Sequence, residues 1–142
     1  PRGGCGEGGD VRGEVELSGL AFIIVDAVDE SKDLVTNAWN WGPTVVLIRQ
    51  MGILDAVRSE TIRYNQGTEV SADEARKIGV FIGDVLSELE PGQRVTLDLD
   101  ITDESDDGTF HRDDLAKNYS ATYDWLKRFS EFCLASNGFK VY

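Results

Sequence analysis

Ser71 and Glu74 stand three residues apart at the head of "VSADEARKIGVFIGDVLSELEPGQ", and this stretch limits the possible folds more than any other. Serine followed three residues later by glutamate is a capping box, in which each side chain serves the other's backbone N–H. Ala75, Ile78, Ile82, Val85 and Leu89 then recur at helical spacing, joined by Phe81 and Leu86, and Pro91-Gly92 stops the run. The spacing predicts a core helix. The next segment, "QRVTLDLDIT", alternates instead: Val95, Leu97, Leu99 and Ile101 on one face, Thr96, Asp98, Asp100 and Thr102 on the other. Period two predicts a half-buried strand.

The flanks fit a mixed fold. Residues 14–28, "EVELSGLAFIIVDAV", are rich in strand formers and broken by Ser18-Gly19, which fits a hairpin or one buried strand entered from a short one. Pro43 suits the first turn of a helix continuing through Val45, Val46, Leu47, Ile48 and Met51, with Gly52 ending or bending it. A second helix is expected from about Leu54 to Tyr64. Ser120 is placed to cap a last helix carrying Trp125, Leu126, Phe129, Phe132 and Cys133, ended near Asn137-Gly138, and "FKVY" can add a short strand. The order predicts an α+β single domain, mainly helical with about four helices, and a small antiparallel sheet. Residues 1–13, "PRGGCGEGGDVRG", read as a flexible Gly-rich leader ahead of a globular unit at 14–142, because neither a preceding strand nor a GK[ST] marks a phosphate loop.

Charge decides which partners to expect. Twenty-six acidic residues against fourteen basic leave a net charge of −12. Such a surface repels phosphate backbones and anionic lipid, so neither nucleic acid nor membrane is expected, and it favours a cation or a basic protein. The longest apolar run, "LAFIIV", cannot span a bilayer. Cys5 and Cys133 make neither a disulfide framework nor a zinc set, and the chain reads as cytoplasmic, with Cys133 a small buried hydrophobe.

Two segments invite a functional reading. Within "DITDESDDGTFHRDD", Asp103, Ser105, Asp107, Thr109 and Asp114 fall at positions 1, 3, 5, 7 and 12 of a calcium loop, with Gly108 at position 6. Against Ca2+ stand the short arm of Asp at position 12, His111 at position 9, and entry from a strand rather than a helix. A solvated turn at Asp106-Asp107-Gly108 is the simpler reading, with no cofactor. His111, the only histidine, could serve as a general base beside Asp98 or Asp100, but no nucleophile motif accompanies it, so a non-enzymatic protein is expected over a small-molecule enzyme. The second segment, "NAWNWGP", sets Trp39 and Trp41 two apart beside Asn37 and Asn40. The pair either forms a recognition surface or plugs the end of the core. Tyr64 and Asn65 at the end of the second helix join Trp39 and Trp41 as candidate partner contacts.

The run Tyr64-Asn65-x-Gly67-x-x-Val70-Ser71-x-x-Glu74-Ala75, with "NAWNWGP" before it and "NYSATYDWLKRFSEFC" after, resembles a group of small acidic bacterial proteins of unknown function. The similarity extends over Asn37 to Cys133 and rests on a turn, a capping box and core aromatics. It implies a bacterial origin and assigns no catalytic residues. Some proteins of that kind are immunity-like and cover a basic partner. The sequence therefore supports an acidic protein-binding module first, a calcium-binding or calcium-stabilised module second, and an enzyme third.

Overall fold

The computed structural model describes residues 21–103 and 119–142, and these form one α+β domain. Strands β1 (Ala21–Asp26) and β2 (Asp33–Asn37) lead into helices α1 (Ala38–Met51) and α2 (Ala56–Thr61). Strand β3 (Thr68–Ser71) runs directly into α3 (Ala72–Leu86), and a smaller sheet follows from β4 (Arg94–Thr96), β5 (Ile101–Thr102) and β6 (Ser120–Thr122). Helix α4 (Tyr123–Ala135) and strand β7 (Gly138–Val141) complete the described chain. The larger sheet has the order β2-β1-β7-β3 and the smaller β5-β4-β6, with every pairing antiparallel. The leader proposed at residues 1–13 lies outside the described residues.

Alternation along the strands sets which face meets the helices. Phe22 and Ile24 of β1, Val70 of β3, and Phe139 and Val141 of β7 point inward and are buried. The register keeps them in rows: Ile24 lies between Leu34 and Val141, and Phe139 between Asp26 and Val70. Onto this face pack Ala75, Ile78 and Ile82 of α3 and Trp125, Leu126, Phe129 and Cys133 of α4, all buried. The helices approach closely at Gly79, whose carbonyl accepts the Ser130 hydroxyl at 2.8 Å. A β-carbon at Gly79 would sit 2.8 Å from Leu134 Cγ, so the glycine sets the spacing. Aromatic rings tie α1, α4 and β7 together: Trp41 meets Phe129 edge-on at 5.6 Å, and Phe129 meets Phe139 edge-on at 6.0 Å.

Several expectations are corrected. Strand β2, with "LVTN" in it, is not among the expected elements. Helix α1 begins at Ala38, because the Asn37 side chain caps it by accepting the Asn40 N–H at 2.9 Å, and Pro43 lies inside the helix rather than at its start. The second helix is shorter than expected, with Asp55 as its cap. The alternating stretch 95–102 is a hairpin, not one strand. Thr96 Oγ1 accepts the N–H groups of Asp98 and Asp100 at 3.3 and 3.2 Å, and Leu99 takes a positive φ of 65°. Side-chain capture of backbone N–H groups by threonine competes with a continuing ladder, and hydrophobic period alone does not register it. Thr122, not Ser120, caps α4, since Ser120 is drawn into β6 and its hydroxyl accepts from Arg94 at 3.1 Å. The predicted "FKVY" strand is an inner strand, flanked on both sides.

The capping box at Ser71 and Glu74 is present and extended by a third residue. Arg58 reaches across from α2 and forks onto both Glu74 carboxylate oxygens at 2.7 Å, while its Nε donates to Asp55 at 2.7 Å. Those donors hold the Glu74 carboxyl down to about 2, with the Arg58 guanidinium as the main cause. A depressed carboxyl pKa stabilises the fold above its unfolded value of 4.5, and that contribution is lost as pH falls toward 2. Arg58→Lys keeps the charge but loses the fork, so urea denaturation should show a loss of about 1 kcal/mol. Unchanged stability would mean that the fork contributes no more than a single ammonium contact.

Candidate functional site

Helix α1 presents Ala38, Trp41, Gly42, Val45, Val46 and Arg49 along one stripe, at the three- and four-residue spacing that aligns side chains on a helix. This stripe forms one wall of an open recess of about 510 Å³. Phe22 of β1 closes one side, Leu97 from the β4–β5 turn and Tyr119 before β6 close another, and Arg63 and Tyr64 stand at the rim. The walls are largely apolar. The charged groups sit at the mouth.

The aromatic residues singled out in the sequence separate into distinct roles. Trp41 is 1% exposed and donates its indole N–H to the Ile62 carbonyl at 3.0 Å. It is a core residue under the recess, so its assignment as a contact for a macromolecular partner is corrected: an indole fully enclosed by its own fold cannot reach another protein. Trp39 is half-buried and packs on Tyr119, ring centroids 4.3 Å apart, so it supports a recess wall from behind. Tyr64 is 41% exposed and lies at the rim, with the Arg63 guanidinium 5.1 Å from its ring centre. Asn65 donates its side-chain amide to the Ala21 carbonyl at 3.1 Å, which pins the turn after α2 to β1. Asn40, beside the tryptophans, accepts the Thr122 N–H at 3.0 Å and joins α1 to the start of α4.

Arg49 and Arg63 are the functional candidates that sequence reasoning missed. Arg49 donates from Nε to the Ser59 carbonyl at 2.8 Å and from Nη2 to Glu60 at 3.2 Å, while Arg63 reaches the other Glu60 oxygen at 3.4 Å. One glutamate thus lies between two cations, which among the described residues leaves the recess mouth locally positive on a chain of net charge −12. The only sequence signal for Arg49 is its place on the α1 stripe; Arg63 has only its adjacency to Tyr64.

Negative charge collects elsewhere. Asp84, Glu88 and Glu90 are exposed at the end of α3 and just beyond, and Asp98, Asp100 and Asp103 are exposed around the β4–β5 hairpin. Of the calcium-loop candidates, Asp103 is the only described residue; Ser105, Asp107, Thr109 and Asp114, with His111, lie outside the described residues. Among the described residues no group of three or more His, Cys, Asp or Glu is placed to hold a metal ion, and no helix is long and apolar enough to cross a membrane. Cys133 is buried, and desolvation pushes its thiol far up, which makes it unreactive.

The fold and the recess together define a small α+β protein with an aromatic-walled, arginine-rimmed cleft on an otherwise acidic chain. In comparisons with known proteins, no family model, no curated protein and no solved structure matches it.

Proposed function

We propose that this chain is a non-enzymatic binding module for a basic protein, acting like an immunity or inhibitor protein that covers a cationic surface. The observation that carries this reading is the placement of exposed carboxylates where they do not help the fold. Asp84 lies in the last turn of α3, which holds no basic residue, and Glu88 and Glu90 follow it. The Asp84 carboxylate faces the negative pole of the helix dipole and costs a little stability, while Glu88 and Glu90 add like charge just beyond that end. None of these three, nor Asp98 or Asp100, forms an ion pair with another described residue. Negative charge held at an energetic disadvantage is accounted for by a partner that neutralises it.

Charge-steered association has a specific signature, because screening shortens the reach of the field to about 10 Å at 0.1 M salt. A basic partner captured on the immobilised protein should associate at least tenfold more slowly as salt rises from about 50 to 300 mM. Neutralising the end of α3 by Asp84→Asn, Glu88→Gln and Glu90→Gln should reproduce part of that loss at low salt. Association insensitive to both salt and these changes would sink the proposal.

A further inference from the structure

We infer that the recess between α1, β1 and the β4–β5 turn is a binding site for a small aromatic anion, with its ring against the apolar walls and its acidic group on the recess side of Arg49 and Arg63, opposite Glu60. This goes beyond the partner surface proposed above and uses a different face of the chemistry, positive where that surface is negative.

Three observations point the same way. The recess, about 510 Å³, falls in the size range of small-molecule sites, and its inner walls are apolar and aromatic, as in Phe22, Val46 and Tyr119. Among the described residues the two arginines at its mouth share one counter-charge, Glu60, so a single additional anion brings that group to neutrality. Both guanidinium groups are already positioned: Arg49 is held by the Ser59 carbonyl at 2.8 Å, and Arg63 lies beside the Tyr64 ring at 5.1 Å. Pre-positioned donors lose less freedom when a ligand arrives. The ion pairs with Glu60 are solvent-exposed, with side-chain exposures of 37% for Arg49 and 49% for Arg63, and exposed pairs of this kind add little to folding. Arg49 also ties α1 to α2 through the Ser59 carbonyl, but the pairing of Arg63 with Glu60 adds little to the fold. A cationic ligand would meet like charge, and a neutral one would leave the arginines unused.

The test uses the full chain and two fluorescent probes of similar shape, the anionic 1-anilinonaphthalene-8-sulfonate and the neutral N-phenyl-1-naphthylamine. The sulfonate should bind saturably at one site, and the neutral probe at least tenfold more weakly. Arg63→Glu, an exposed change outside the core, should weaken the sulfonate at least tenfold and alter the neutral probe less than threefold. Val46→Trp should fill the cleft and remove both signals, with thermal melting showing that the variant is folded. If that variant does not fold, competition by excess benzoate against the sulfonate replaces it. The inference is overturned if the sulfonate binds without saturation, binds no better than the neutral probe, or is unaffected by Arg63→Glu. Binding that survives both the filled cleft and benzoate competition overturns it equally.

Discussion

Gly138→Ala is expected to lower stability by about 3 kcal/mol or more, and the melting temperature by about 10 °C. Gly138 opens β7 with φ of +92°, a conformation that L side chains rarely adopt. A β-carbon there would lie 2.6 Å from the Val70 carbonyl oxygen and 3.0 Å from the Ala72 nitrogen. Both are backbone atoms, at the junction of β3 with α3, and they cannot swing aside as a side chain can. Because β7 lies between β1 and β3, a shift at its first residue disturbs both pairings. Gly52 provides the comparison: it too has a positive φ, +67°, but nothing lies within 4 Å of where its β-carbon would be. Gly52→Ala should therefore cost only the backbone term, about 1–2 kcal/mol. Denaturant melts of the two variants separate conformation from collision. Equal losses would show that the approach to Val70 is relieved without cost.

The second large effect is expected at Asp26. Its carboxylate, on a residue 2% exposed, accepts the Asn137 N–H at 2.8 Å, the Asp29 N–H at 2.8 Å and the Val28 N–H at 3.0 Å. The Asn137 side-chain amide adds a longer bond at 3.3 Å. One side chain thus joins the β1–β2 turn to the α4–β7 turn. Asp26→Ala removes the acceptor those backbone donors share and should cost about 3 kcal/mol, since each lost bond to a charged acceptor is substantial. Burial alone would push the Asp26 carboxyl up, but the N–H groups of Asn137, Asp29 and Val28 outweigh it and hold the pKa at about 2. The sign follows: a lowered carboxyl pKa contributes stability above the unfolded value of 3.8, and that contribution disappears as pH falls toward 2. Asp26→Asn should therefore be less stable than the parent at neutral pH and show a shallower loss between pH 4 and 2. A variant that keeps the parent's acid profile would rule Asp26 out as a source of it.

The start and inner face of α3 were legible because cap, period and burial agree there, but the helix ends at Leu86, short of the Leu89 and Pro91-Gly92 that the spacing predicts. The β1–β2 hairpin was not legible, since "LVTN" is too short to show a period and buries Thr36 while Val35 faces out. The stretch 95–102 misled for the opposite reason. Its alternation is clean, yet Thr96 turns the chain back on itself, and a turn built by a side-chain oxygen leaves no mark on the hydrophobic pattern. The candidate site was half legible. "NAWNWGP" stands out in the sequence, but Trp39 and Trp41 look equivalent there, and only packing sends one into the core and the other onto Tyr119.

Sequence by itself determined the class of fold, the acidic field and the start of α3, because these depend on composition and on contacts within a few residues. The tertiary structure alone decided that β7 is an inner strand, that Asp26 joins two distant turns, and that Arg49 and Arg63 meet over one glutamate at the mouth of a recess. Each of these depends on pairs far apart in the chain. Whether such pairs form depends on the loss of water and chain freedom across the whole fold, which no local window of residues contains.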